Sequence, residues 1–332
     1  MSLPRVAVVT TGGTIDSVGA DRLDLAAYLE TGRRLEPGAL VASIPELASV
    51  ARVTEVPFRR LRAHAMTDAD LADLRDLVVA ILDRREADGI VVTHGTNTLE
   101  ETAWLLHLTL AAEAPVVLTG AMRPASALSA DGPLNLAEAV RVAASHEARG
   151  LGVLVVMDDT IHGAREVTKA NTLRLDAFAS PLAGPVGRVD GDGRVVITGR
   201  PARATTLRGA FADVDLRALP RVDVVVSYQG ADGALVDAAV AAGATGIVSA
   251  GTGAGYPTPR EVEALERASR AGVVVCQASR VGSGRVPPVA SIIARDWVAA
   301  DDLVAWKARV LLRLALAAGA DVPGIRACFE AA

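Results

Sequence analysis

Two unbroken apolar stretches, each running straight into a hydroxyl-rich turn, constrain the fold of this chain most strongly. Val6-Ala7-Val8-Val9 leads into Thr10-Thr11-Gly12-Gly13-Thr14-Ile15, and Gly89-Ile90-Val91-Val92 leads into Thr93-His94-Gly95-Thr96-Asn97-Thr98-Leu99-Glu100-Glu101. A strand with one wet face alternates apolar and polar residues. Unbroken apolarity means burial on both faces, as in a parallel sheet covered by helices on either side. In open sheets of that kind ligands collect beyond the carboxyl ends of the strands. Two hydroxyl-bearing turns at those ends are expected to meet over one pocket, which suits nucleophilic attack by a hydroxyl.

The same pattern continues along the chain. Further strands are expected over 115–119 and 151–157, with helices over 71–84, 98–109 and 135–145. Asp190-Gly191-Asp192-Gly193, between Val186-Gly187-Arg188-Val189 and Arg194-Val195-Val196-Ile197, reads as a hairpin turn. A polar, Arg-rich stretch follows, and the alternation restarts with strands over 222–228, 246–250 and 273–277 and helices over 232–242, 261–271 and 303–318. The expected fold is α/β in two domains: a larger N-terminal, doubly wound, mostly parallel sheet domain over 1–198, a linker over 199–212, and a smaller C-terminal α/β domain over 213–332.

Composition narrows the function. The 332 residues are 51% hydrophobic, ample for two cores, and the formal charge of -5 lacks the electrostatic footprint of a nucleic-acid binder. Cys276 and Cys328 are the two cysteines, so no disulfide framework and no zinc-type Cys/His spacing is present. The glycine turns match neither the dinucleotide nor the P-loop pattern. No run reaches membrane-spanning length, and the first residues lack signal-peptide character. These features lead to the expectation of a cytoplasmic protein that acts on a small molecule, without a zinc site, a nucleotide, nucleic acid or a membrane.

Residue chemistry leaves several roles open. Thr14 follows two glycines, so it can present its hydroxyl as a nucleophile or simply cap a strand-to-helix turn. Thr96 and Asn97 occupy the matching turn, while Glu100 and Glu101 fall in a first helical turn, where negative charge complements the helix dipole and a capping role is expected. His94 can act as a base or serve structurally. Lys169 reads as a surface lysine unless folding carries its amine to a threonine hydroxyl, where desolvation would favour the neutral, basic form. Tyr28 reads as a half-buried aromatic beside Leu25 and Leu29 unless it reaches the same place.

Taken together, these segments resemble the bacterial-type asparaginase/glutaminase family over most of the chain. Thr11-Gly12-Gly13-Thr14-Ile15 and His94-Gly95-Thr96-Asn97-Thr98-Leu99-Glu100-Glu101-Thr102 resemble its two signature segments. Thr119 to Pro124, Ser129 to Leu136, Val167 to Thr172 and Ser279-Arg280-Val281 match in order. The resemblance implies hydrolysis of a side-chain amide, with L-asparagine as the first candidate, by a cofactor-free homotetramer built from close dimers. It implies Thr14 as the nucleophile forming an acyl-enzyme, Tyr28 on a lid beside it, Thr96 as second catalytic threonine and Lys169 coupled to it. Gly13 and Thr96 would supply N–H donors to the oxyanion.

Departures from the family pattern bear on specificity. Asn97 stands where the family carries an aspartate that pairs with the lysine and helps hold the substrate's α-ammonium. Ala63, followed by His64, stands where the family places a serine that binds the α-carboxylate. Gly251-Thr252-Gly253-Ala254 replaces an asparagine-bearing turn, and the stretch 286–295 contains no glutamate. A desolvated ammonium left without its counter-charge costs on the order of a few kcal/mol. Losing the aspartate also lowers the lysine's pKa. The expectation is an asparaginase-type amidohydrolase. The alternatives are an amidase for a related amide lacking a free α-amino group and a non-catalytic small-molecule binding protein of the same fold. An amidotransferase-like subunit acting on aminoacyl-RNA fits poorly with the acidic charge.

Overall fold

The structure, a computed structural model, describes residues 2–200 and 207–332. Contacts divide the chain into two compact units, Met1–Gly209 and Ala210–Ala332. The linker expected over 199–212 falls in part on residues 201–206, outside the described residues.

The first unit is built on an eight-stranded sheet. Its strands are β1 (Arg5–Thr10), β2 (Arg52–Pro57), β3 (Gly89–Thr93), β4 (Val116–Thr119), β5 (Val153–Met157) and β6 (Thr160–Gly163), joined, after a separate two-stranded piece of β7 (Thr168–Lys169) and β8 (Phe178–Ala179), by β9 (Gly187–Val189) and β10 (Val195–Ile197). The order is β10-β9-β6-β5-β4-β3-β1-β2. Strands β1 to β5 pair in parallel, and β6, β9 and β10 extend the edge antiparallel. The β9–β10 hairpin lies where the Asp-Gly-Asp-Gly turn predicts it.

Burial explains the unbroken apolarity. Along β1, Val6 and Val8 enter one core with Val91, Val117, Leu154 and the helix Gly132–Ala144, whereas Ala7 and Val9 enter another with Ile90, Val92, Leu118 and the helices Asp68–Asp83 and Leu99–Thr109. Alternate side chains thus leave opposite faces into two separate cores, and each of these four β1 residues is at most 3% exposed. Strand β2 is different. Its burial alternates and it ends in Pro57, the signature of an edge strand, which is why the apolar pattern misses it.

From β1 the chain crosses to β2 on one side and then returns to β3 on the other, so the neighbouring carboxyl ends of β1 and β3 form a topological switch point. Connections there lead away in opposite directions and leave a crevice. Both threonine turns open on it.

The second unit carries a parallel four-stranded sheet in the order β11 (Val222–Val226), β12 (Gly246–Gly251), β13 (Val274–Ser279) and β14 (Val298–Ala299). Helices Ala234–Ala241 and Pro259–Arg270 share a core with Val225, Ile247 and Val275, and the helix Ala305–Ala317 packs on β11 and β12. Thr258 caps the helix Pro259–Arg270 through a reciprocal capping box with Glu261, and Pro259, which has no N–H to leave unsatisfied, opens its first turn. A final helix, Val322–Ala331, lies beyond the elements that the sequence pattern predicts.

Candidate active site

The turn after β1 is bound to the turn after β3. Thr11 donates its hydroxyl to the Thr93 carbonyl at 2.7 Å, and Ser17 donates to the Gly13 carbonyl at 2.8 Å. Gly13 has φ 115°, in the left-handed region, and a Cβ there would lie 2.7 Å from Gly95 Cα. Gly95 in turn has Ala63 against it, where a Cβ would meet the Ala63 methyl at 2.8 Å. Three backbone segments therefore touch because two of them carry glycine. Thr98 adds a tie by donating to the Ala63 carbonyl at 3.1 Å.

These segments enclose an open cleft of about 370 Å³ whose lining includes Gly13, Thr14, Tyr28, Ala63, His64, Thr96 and Asn97. Thr14 is 8% exposed, and its Oγ1 lies 2.9 Å from the Tyr28 hydroxyl. Tyr28 opens a short 3-10 turn, Tyr28–Thr31, and is half-buried. Neither the Gly13 nor the Thr96 backbone N–H donates to another group among the described residues.

Lys169 is not a free surface lysine. It sits on β7, and its Nζ donates to Thr96 Oγ1 at 2.8 Å. Burial lowers its pKa from the ordinary lysine value, and the negative charge of Glu100 partly opposes that shift. Glu100 itself corrects one expectation. Its carboxylate accepts the Lys169 backbone N–H at 3.0 Å, so Glu100, buried at 5% exposure, fastens the lysine strand to the second turn and does not merely cap its own helix. The helix start at Thr98 has no side-chain cap.

His94 takes the structural alternative. It is fully buried, with Nδ1 2.8 Å from the Gly95 carbonyl and Nε2 3.1 Å from Thr102 Oγ1. Burial pushes its pKa down to about 4, so the ring is neutral in the fold. Asn97 and His64 are exposed and paired, the Asn97 Nδ2 donating to His64 Nδ1 at 3.3 Å. Ala63 is buried and offers only its methyl to the cleft wall.

Sequence reasoning singled out neither Arg34 nor Arg62, and both line the cleft. The available signal was Arg59-Arg60-Leu61-Arg62, three arginines in four residues immediately before Ala63. Arg62 donates to the Leu29 carbonyl at 3.1 Å, and Arg34 pairs with Asp16 at 3.4 Å. Asp16 is buried and its pKa is raised by that burial, with Arg34 and Arg60 pulling the other way. Among the described residues no group of His, Cys, Asp and Glu side chains is arranged to hold a metal ion.

A doubly wound sheet with a threonine–tyrosine pair and a threonine–lysine pair at its switch point defines an α/β enzyme equipped for hydroxyl chemistry. Comparison with known proteins carries the assignment further. The N-terminal asparaginase domain matches residues 5–203, and the glutaminase/asparaginase C-terminal domain matches residues 221–329. The chain belongs to the asparaginase family and is an amidohydrolase. It is 39% identical to L-asparaginase 2 of Bacillus subtilis, over 99% of this chain and 86% of that protein. It is 36% identical to the glutaminase-asparaginase of Pseudomonas fluorescens, over 98% and 90%. The crystal structure of a probable cytoplasmic L-asparaginase from Campylobacter jejuni superposes with a TM-score of 0.92 at 35% identity, covering 98% of this chain and 99% of that one.

Proposed function

We propose that the protein hydrolyses the side-chain amide of L-asparagine, or of a close relative of it, to the carboxylate and ammonia through an acyl-enzyme on Thr14. The observation that carries this reading is the convergence on one cleft of two hydroxyls with separate partners: Thr14 with Tyr28 at 2.9 Å, and Thr96 with the Lys169 amine at 2.8 Å.

Thr14 Oγ1 attacks the amide carbon, and its proton passes by way of Tyr28 toward the departing nitrogen, which leaves as ammonia. The negative charge that develops on the amide oxygen is held by the N–H groups of Gly13 and Thr96, which have no internal partner to surrender among the described residues. Water then attacks the Thr14 ester. Its proton goes to the Thr96–Lys169 pair, where burial lowers the amine's pKa and brings the proton-accepting neutral form closer to reach. As the ester C–O bond breaks, Thr14 Oγ1 takes that proton back from the pair, and the acyl group departs as a carboxylic acid that ionises to the carboxylate. Asn97, His64 and Ala63 are the residues next to the rest of the substrate.

Ammonia release decides the matter: the wild-type protein should liberate it from asparagine, glutamine or substituted amides, and Thr14→Ala should not. If no amide in the panel gives more ammonia than Thr14→Ala, the reading fails. Mass spectrometry of a quenched reaction should find the acyl group on the peptide carrying Thr14. The working form is a homodimer or homotetramer, which size-exclusion chromatography with light scattering tests. Its place is the cytoplasm, which cell fractionation tests; no helix among the described residues is long and apolar enough to cross a membrane.

A further inference from the structure

The cleft is lined by basic side chains, and among the described residues by no acidic one. Besides Tyr28, the ionisable side chains that line it are Arg34, Arg62 and His64, and among the described residues no Asp or Glu lines it. Asp16, the acid beside Thr14, is committed to Arg34 and Arg60 and lines a separate small cavity with Thr10 and Glu55. Arg62 is exposed at the mouth, and beyond the bond to the Leu29 carbonyl its guanidinium donates to no other described group.

An α-amino acid brings one carboxylate and one ammonium into this cleft. The carboxylate meets the Arg62 guanidinium, with its fork of N–H donors. The ammonium meets no carboxylate, loses water on entry and is repelled by the same guanidinium. Replacing that ammonium by hydrogen, or by an acylated nitrogen, removes the penalty and keeps the attraction. We propose that the site selects monoanionic ω-amides without an α-ammonium, the desamino or α-N-acylated counterparts of asparagine, with Arg62 holding the carboxylate and Asn97 facing the neutral α-position. This rests on the amidohydrolase reading above and names its substrate class. The reaction is the same hydrolysis: the amide C–N bond breaks, water supplies the oxygen of the new carboxylate, and the nitrogen leaves as ammonia with the proton it gains.

The test compares succinamate, N-acetyl-L-asparagine and L-asparagine as substrates of the full chain by ammonia release near neutral pH. The expected kcat/KM for one or both ammonium-free amides exceeds that for asparagine by roughly tenfold or more. That advantage should shrink severalfold when salt is raised from about 0.02 to about 0.5 M, because screening weakens the net attraction of an anion more than that of a zwitterion. Asn97→Asp should reverse the order by raising asparagine and lowering succinamate, and Arg62→Gln should raise KM for succinamate and erase most of its salt dependence. Asparagine ranking first in the wild-type protein overturns the proposal while leaving the amidohydrolase reading intact, since turnover persists. Absence of ammonia from all three, and from glutamine, overturns both. An unchanged KM in Arg62→Gln removes Arg62 from the assignment.

Discussion

Replacing Lys169 by Met separates the amine from everything else that residue does. Methionine keeps an unbranched stem, and the backbone N–H of residue 169 still has the Glu100 carboxylate as its acceptor at 3.0 Å. What disappears is Nζ, 2.8 Å from Thr96 Oγ1. Thr96 is 5% exposed, so its hydroxyl loses a partner at a cost of about 1 kcal/mol. Burial is also the larger influence lowering the lysine's pKa, so removing the amine relieves some of that desolvation. With the two effects opposed, the melting temperature should move by no more than about 3 °C. The rate has no such compensation. Loss of a positioned proton-transfer group lowers kcat by roughly 10²- to 10⁴-fold, about 3–5 kcal/mol of barrier. Ammonia release across a pH series, alongside thermal denaturation, reads both quantities. A lysine base must be neutral to work, so wild-type kcat should climb with pH through a pKa below the ordinary 10.5, and the climb should vanish in Lys169→Met. A rate loss under tenfold, or a pH limb that survives the substitution, refutes the assigned role.

Tyr28→Phe removes the hydroxyl 2.9 Å from Thr14 Oγ1 and should lower kcat by roughly 10²-fold with little change in KM, measured by steady-state ammonia release. Gly13→Ala forces a Cβ to 2.7 Å from Gly95 Cα at φ 115°, so chemical denaturation should show a loss of more than about 2 kcal/mol in stability. Glu138 is buried, and burial first, then Asp159, pushes its pKa up to about 8 from 4.5. The neutral form belongs to the fold and the ionised form to the unfolded chain, so this contribution to stability is full below pH 4.5 and is lost as pH rises to about 8. Glu138→Gln should therefore raise the melting temperature at pH 8 more than at pH 5, as read by calorimetry.

The sequence makes the chemistry of the site more legible than its selectivity, for a physical reason. Thr14 and Thr96 each follow a strand whose unbroken apolarity announces burial on both faces, so a local pattern already places both hydroxyls at the carboxyl edge of the sheet. Lys169 lies 73 residues from Thr96 on a two-residue strand with no periodic signal of its own. Only the family resemblance assigns it a role, and tertiary folding alone carries its amine to Thr96. Glu100 shows how a local rule can mislead: first-turn acids do favour the helix dipole, but this one is held inward by the backbone of β7.

The groups that give the cleft its positive character come from elements that carry no sheet signal. Arg34 follows the 3-10 turn of Tyr28, Arg62 and His64 flank Ala63, and these segments meet the threonine turns only through tertiary contact, as in the bond from Arg62 to the Leu29 carbonyl. On the proposed reading, the residues assigned to the reaction are fixed by the rigid core, and those assigned to the charge of the substrate sit on the more exposed loops above it. That division predicts how the two properties should separate. Substitutions at Arg62 or Asn97 should reorder substrates while Thr14, Thr96 and Lys169 continue to hydrolyse whichever amide is admitted, whereas substitutions at the three should lower turnover of every substrate without changing their order. Measuring kcat/KM for the same three amides in both sets of variants tests this; a change of substrate order in Lys169→Met would mean that charge selection and catalysis share one group.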